Sequence, residues 1–134
     1  MKSEKKSEMI QRDQLFAGFS VDSTDEAYFF YKNVLGLHVE KGEMSVLTIR
    51  VNPGMKVILY QKQDHVPATY TVLNIPVTDM EAAVDELAGK GVSFLHYDME
   101  YIQTDQKGIA RPAMGPVLAW FRDPAGNILS LIQE

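Results

Sequence analysis

Few residues of this 134-residue chain are placed to do chemistry by themselves. It has no cysteine, so thiol nucleophiles, thiolate metal sites, disulfides and iron–sulfur clusters are excluded. The three histidines, His38, His65 and His96, form no ligand-spaced pair such as H-x(3)-H. A metal site assembled from His96 with Asp98 or Glu100 is conceivable, but a strand or surface histidine is the simpler reading of each. His65 falls in a linker, where a solvated side chain is expected. No serine lies in a G-x-S-x-G elbow, and Ser130 has no histidine base that the sequence can point to. Lys107-Gly108 lacks the G-x(4)-G-K-[ST] context of a phosphate loop. Asp22, Asp25, Glu26, Asp79 and Glu81 gather at expected helix starts, where capping and the helix dipole account for them.

What remains is binding chemistry. Asn74 interrupts the apolar run "YTVLNIPV" (residues 70–77), and an amide on such a strand needs a partner, either a structural hydrogen bond or a ligand. Trp120 and Tyr60 could stack on a flat molecule, although a lone strand tryptophan is often simply core. Arg111, in "KGIARPAMGP", could grip an anion bidentately or lie solvated in a loop. Ser130 can donate or accept a hydrogen bond.

These residues ride on a repeated framework. Residues 19–39, "FSVDSTDEAYFFYKNVLGLHV", and 75–95, "IPVTDMEAAVDELAGKGVSFL", align at an offset of 56 through Val21/Val77, Asp25/Glu81, Ala27/Ala83 and Tyr31/Leu87. Gly36-Leu37 then matches Gly91-Val92 after a one-residue slip. Each copy runs from an apolar strand through a capping stretch into an amphipathic helix, then through glycine into strands. Ser23-x-x-Glu26 and Thr78-x-x-Glu81 read as capping boxes. The strands expected after the helices are "LHVEKGEM", "SVLTIRV" and "KVILYQK" in the first half and "SFLHYDM", "PVLAWFR" and "NILSLIQ" in the second, with Asn52-Pro53-Gly54 as a turn. Both halves therefore read βαβββ. Residues 63–69 link them, and the segment 100–116 is too long for a hairpin turn. It is either a lid or subunit contact, or a floppy insertion.

Bulk properties set the limits. The chain is 46% hydrophobic and 23% charged, with a net charge of −5, values ordinary for one soluble domain. The acidic balance argues against nucleic-acid and anionic-membrane partners. No apolar run reaches the roughly 18 residues of a membrane span. The charged start, "MKSEKKSEMIQRD", lacks a signal-like apolar segment and reads as a disordered lead-in over 1–13. A cytoplasmic protein is expected, with one domain over 14–134 (module one 14–62, module two 70–133).

The tandem βαβββ units, the V-x(9)-Y-x(3)-LG pattern (Val21, Tyr31, Leu35, Gly36) and the ending "FRDPAGNILSLI" together resemble the vicinal oxygen chelate superfamily. That group holds glyoxalases, bleomycin-resistance proteins and extradiol dioxygenases. The resemblance spans residues 14–133 and implies an α+β fold in which two modules form curved mixed sheets around a cavity. It also implies a second subunit completing that cavity.

The resemblance further implies a divalent metal, held by a His, Gln or Glu on the first strand of each half and a carboxylate near the last. Position by position, the first-strand places fall on Phe16 and Val72, and the final carboxylate falls on Ser130. "KVILYQK" offers only Tyr60. A phenyl, an isopropyl, a hydroxyl and a phenol do not make a divalent site. The expectation is a metal-free, cofactor-free homodimer that binds a small, partly apolar molecule through Phe16, Tyr60, Asn74, Arg111, Trp120 and Ser130. By alternation Phe16, Gly18 and Ser20 share one face, as do Val72, Asn74 and Pro76, and Ile128, Ser130 and Ile132. The alternative is a superfamily enzyme (lyase, isomerase or dioxygenase-like) with non-standard ligands or metal-free acid–base catalysis; a third reading is a protein-interaction module.

Overall fold

A computed structural model describes residues 9–134. Most of the expected lead-in, residues 1–8, lies outside the described residues; its end carries one 3-10 turn, Arg12–Gln14, that buries nothing. The first module comprises β1 (Ala17–Val21), α1 (Thr24–Phe29), β2 (Val39–Lys41), β3 (Val46–Asn52) and β4 (Met55–Gln61). The second comprises β5 (Thr71–Pro76), α2 (Met80–Gly89), β6 (Ile109–Ala110), β7 (Val117–Arg122) and β8 (Ile128–Gln133). The sheets have the same order, β1-β4-β3-β2 and β5-β8-β7-β6. In each, the opening strand runs parallel to the closing one and the other pairs are antiparallel. The helix between opening strand and sheet is what lets the chain return for a parallel pairing. Among the described residues no helix is long and apolar enough to cross a membrane.

Alternation decides what each sheet face does. Val21, Leu47, Ile49 and Leu59 share one core with Ala27 of α1 and Tyr31 just after it, all nearly inaccessible. Ala119, Phe121, Leu129 and Leu131 pack with Val84 and Leu87 of α2 in the same core. The opposite faces carry Gly18, Ser20, Ile58 and Tyr60 in one module, and Asn74, Leu118, Trp120 and Ser130 in the other. α1 begins as expected, with Ser23 Oγ accepting from the Glu26 N–H at 3.3 Å, but widens into a π turn over Phe30–Val34 before Gly36. The second cap is Asp79 rather than Thr78: Asp79 is extended and its Oδ1 accepts from the Ala82 N–H at 3.1 Å. A carboxylate one residue later meets the first free amides of a helix that starts at Met80.

The second module departs from expectation after α2. "SFLHYDM" does not form a full strand. Phe94 bridges to Phe121 alone, and the chain leaves the sheet at Leu95, whose N–H donates to the Trp120 carbonyl. It doubles back in a small hairpin, where Tyr97 pairs with Thr104 and Met99 with Ile102. It then returns to the same edge as β6, opposite Leu118 and Ala119. The return turn depends on Asp105, whose Oδ1 accepts from the N–H groups of Lys107 and Ile109 at 2.9 Å each. Gly108 completes it at φ +86°; a Cβ there would lie 2.8 Å from Phe94 Cβ. The segment is also pinned to α2 by ion pairs, Lys107 to Glu81 and Asp85 and Arg111 to Glu81. It is a built hairpin and strap rather than a floppy insertion.

The two modules are tied by the turn "DPAGN". Asp123, 4% exposed, accepts from the Tyr31 hydroxyl of the first module at 2.7 Å and from the Asn127 N–H at 2.8 Å. Asn127, 2% exposed, donates through Nδ2 to the Ser20 carbonyl of β1 at 2.8 Å and accepts through Oδ1 from the Ala68 N–H at 3.1 Å. Gly126 has φ +88°, and a Cβ on it would lie 2.9 Å from Pro67. The motif therefore turns β7 into β8 while binding the first strand, the first helix and the linker.

Candidate functional site

The second sheet's open face holds a row across three strands. Asn74 on β5 is in register with Ser130 on β8, and Ser130 with Trp120 on β7. Ser130 is fully buried, and its Oγ donates to Asn74 Oδ1 at 2.6 Å. Asn74 itself is exposed. Trp120 packs edge-on against Tyr97, with ring centroids 5.3 Å apart, so the hairpin fixes the indole from one side. The indole also borders a cavity of about 330 Å³, walled by Trp120, Leu118, Tyr101, Ile102, Pro112 and Arg111. Strand alternation supplies the floor and the hairpin supplies the rim.

Six residues were expected to meet in one site, and the structure divides them. Trp120 and Arg111 line this cavity, and Asn74 and Ser130 continue the row from it. Phe16 belongs to a separate recess of about 310 Å³ beside Arg50, Pro53 and Met55, with Lys56 Nζ 4.4 Å from its ring centroid. Tyr60 is 42% exposed on the first sheet, in register with Ser20 and Val46. Arg111 is not an open anion clamp: its guanidinium donates to Asp105 at 2.9 Å and pairs with Glu81 at 3.4 Å. Two carboxylates already complement its charge, which disfavours recruiting an anionic ligand there.

His65 corrects the sequence reading most directly. It is half-buried rather than solvated. Its Nδ1 lies 2.7 Å from Ser20 Oγ and its Nε2 lies 3.0 Å from the Ala125 carbonyl. The carbonyl can only accept, so Nε2 carries a proton; in the neutral ring Nδ1 then accepts from the Ser20 hydroxyl. A solitary linker histidine gives no sequence signal for these contacts, 45 and 60 residues away.

The residues do not fit the metal that the superfamily resemblance implies. Phe16 and Val72 offer no donor atom, and Val72 falls within a register irregularity of β5 against β8 that interrupts alternation there. Ser130's hydroxyl is engaged by Asn74. His38 pairs with Glu40 at 3.3 Å. Among the described residues no three His, Asp or Glu side chains converge as a metal site.

Two four-stranded mixed sheets of identical order, each closed by a parallel strand and backed by a helix, define a protein of two like modules. The chain belongs to the Glyoxalase/Bleomycin resistance protein/Dioxygenase superfamily, whose family model matches residues 14–131. Its fold is similar to that of TnmS3, an antibiotic binding protein from Streptomyces sp. CB03234 (20% identity, 89% of this chain and 94% of that one, TM-score 0.58). It is likewise similar to a superfamily member from Sphaerobacter thermophilus DSM 20745 (21% identity, 90% and 97% covered, TM-score 0.63). A third is lactoylglutathione lyase from Agrobacterium tumefaciens (19% identity, 89% and 92% covered, TM-score 0.61). These identities carry a likeness of fold alone. No curated protein matches the chain.

Proposed function

We propose that this protein binds a small, flat, partly apolar molecule against Trp120 without using a metal. The observation that carries the reading is the Trp120 cavity: an indole packed edge-on against Tyr97 that lines the cavity together with Tyr101, Leu118 and Pro112. The walls mix apolar side chains with the polar groups of Glu100, Gln103 and Arg111, a lining suited to a small molecule that is only partly apolar. Because Arg111 is already paired and Glu100 also lines the cavity, the ligand is neutral rather than anionic. An antibiotic-binding protein of similar fold makes sequestration a reasonable use of the scaffold. A cytoplasmic homodimer is part of the same reading, with exposed Met99 and Tyr101 at the hairpin tip available to a second copy.

Trp120 is the chain's only tryptophan, so its fluorescence reports the site directly. Neutral bicyclic aromatics should quench it saturably and raise the melting temperature. Trp120→Leu should weaken binding, followed by calorimetry, about tenfold, as losing roughly 1.4 kcal/mol of aromatic contact implies. Equal affinity of the variant and the parent would defeat the reading.

A second reading, metal-free catalysis, is favoured by one observation, the Ser20–His65 pair. A hydroxyl 2.7 Å from a ring nitrogen whose partner nitrogen is anchored on a carbonyl has the form of a nucleophile and an oriented base. Binding remains preferred, because the pair doubles as a tie between β1 and the linker. It follows that 4-nitrophenyl acetate hydrolysis should be the same for the parent protein and Ser20→Ala. A burst lost in Ser20→Ala would instead make the protein an acyl-transfer enzyme.

A further inference from the structure

The buried Ser130 hydroxyl sets the polarity of the open face. Its proton needs an acceptor, because an unplaced hydroxyl proton at full burial is costly. The only side-chain acceptor bonded to it among the described residues is Asn74 Oδ1, at 2.6 Å. If the amide were turned over, Nδ2 would donate to Oγ and the hydroxyl proton would be stranded. Ser130 therefore holds Oδ1 down toward the sheet and leaves Nδ2 outward. Asn74 is exposed, and its Nδ2 has no partner among the described residues. The outward end of the row thus presents the two N–H groups of Asn74 as donors.

Asn74, Ser130 and Trp120 lie on adjacent strands in register. At a spacing of about 4.8 Å per strand, the amide stands roughly 10 Å from the indole's strand position, across β8. We propose that Ser130 is a positioning residue that fixes the Asn74 amide as a hydrogen-bond donor, and that the ligand is an aromatic molecule carrying a carbonyl on the side nearest β5. The inference rests on the reading of the Trp120 cavity as a ligand site and names the ligand's chemistry. It also gives the serine a role: at a sequence position where the resemblance leads one to look for a metal-binding carboxylate, the chain sets a neutral donor that can meet a carbonyl oxygen.

The test uses a matched pair of neutral probes, 2-acetylnaphthalene and 2-ethylnaphthalene, which differ in C=O against CH₂. Their affinities are measured by calorimetry on the full chain and on Asn74→Asp and Ser130→Ala. The quantity read is the ketone-to-hydrocarbon affinity ratio, which cancels general changes in pocket shape and in the probes' apolarity. One neutral hydrogen bond corresponds to about fivefold. The ratio should fall about fivefold or more in Asn74→Asp, where the carboxylate offers no donor. It should fall by a smaller factor in Ser130→Ala, where the amide is free to turn over. Asn74 is exposed, so Asn74→Asp remains informative even if Ser130→Ala fails to fold. Ratios unchanged in folded variants that still bind both probes would overturn this inference and leave the cavity reading standing. A fall in Asn74→Asp with none in a folded Ser130→Ala would overturn the positioning role. Failure of both probes to bind any of the three proteins would defeat the cavity reading, and the inference with it.

Discussion

Replacing Asn127 with alanine is expected to cost about 3 kcal/mol of unfolding free energy. The substitution removes the donor to the Ser20 carbonyl and the acceptor for the Ala68 N–H, at a side chain only 2% exposed. Each stranded backbone group costs about 1–3 kcal/mol when water cannot replace its partner. The loss should appear as a lower urea midpoint with an unchanged slope, since the surface exposed on unfolding stays the same. Asn127→Asp is the sharper companion. It keeps an acceptor for Ala68 but deletes the donor to Ser20. It also sets a second carboxylate where Nδ2 now lies 3.3 Å from Asp123 Oδ2. At neutral pH it should therefore be at least as destabilised as the alanine variant. A loss under about 1 kcal/mol in both would mean that water reaches the node and that the turn does not tie the modules together.

That node shows where sequence reasoning stops. "DPAGN" is legible as a turn because its chemistry is local: a proline, a glycine and flanking polar side chains. Its partners are not local, since Asn127 reaches Ser20 across 107 residues and Asp123 reaches Tyr31 across 92. The repeat, both helices and most strands were legible because period and capping act within a few residues. The error at Thr78 has the same origin: two adjacent residues, Thr78 and Asp79, could each cap, and only backbone geometry chooses between them.

The stretch from Phe94 to Ala110 was illegible for a different reason. "SFLHYDM" has strand-like alternation, yet the strand edge it would occupy is shared. Phe94 takes one position against β7 and Ile109–Ala110 take the next. Only the return turn at Asp105 and Gly108 makes that division possible. The consequence for the site is large, because the intervening hairpin supplies Tyr97 against Trp120 and Tyr101 in the cavity wall. Trp120 and Arg111 could be nominated from their residue types. That Arg111 is spent on Asp105 and Glu81 could not, because Glu81 belongs to a helix 30 residues earlier in the chain.

Tyr31→Phe should destabilise the protein by an amount that depends on pH, about 2 kcal/mol near neutrality and about half that in mild acid. The ring stays in the core beside Phe19 and Phe30, so the change isolates one hydroxyl donating to Asp123 at 2.7 Å. A hydrogen bond to a charged group contributes about 1.5–3 kcal/mol and a neutral one about 1 kcal/mol. Burial pushes the Asp123 carboxyl above its ordinary range, while the hydrogen bonds from Tyr31 and Asn127 pull it back. With the folded pKa above the unfolded one, the native state holds more protons in the window between them. Stability from this group therefore falls as pH rises through that window. Deleting the hydroxyl removes one of the downward pulls, so the folded pKa rises further and the window widens. The variant must then lose more than the parent at neutral pH, and the gap must narrow as Asp123 becomes protonated in both. Glu40 and Asp64, held low by hydrogen bonds from Arg50 and Lys62 respectively, shift the curves of both proteins alike on acidification and cancel in the difference. Urea titrations of the two proteins from pH 7 down to about pH 4 measure the gap directly. Repeating them with Asp123→Asn in both backgrounds should abolish its pH dependence. A gap that stays constant with pH would mean that Asp123 keeps one protonation state throughout, a carboxylate if the gap holds at about 2 kcal/mol and a neutral acid if it holds at about 1 kcal/mol.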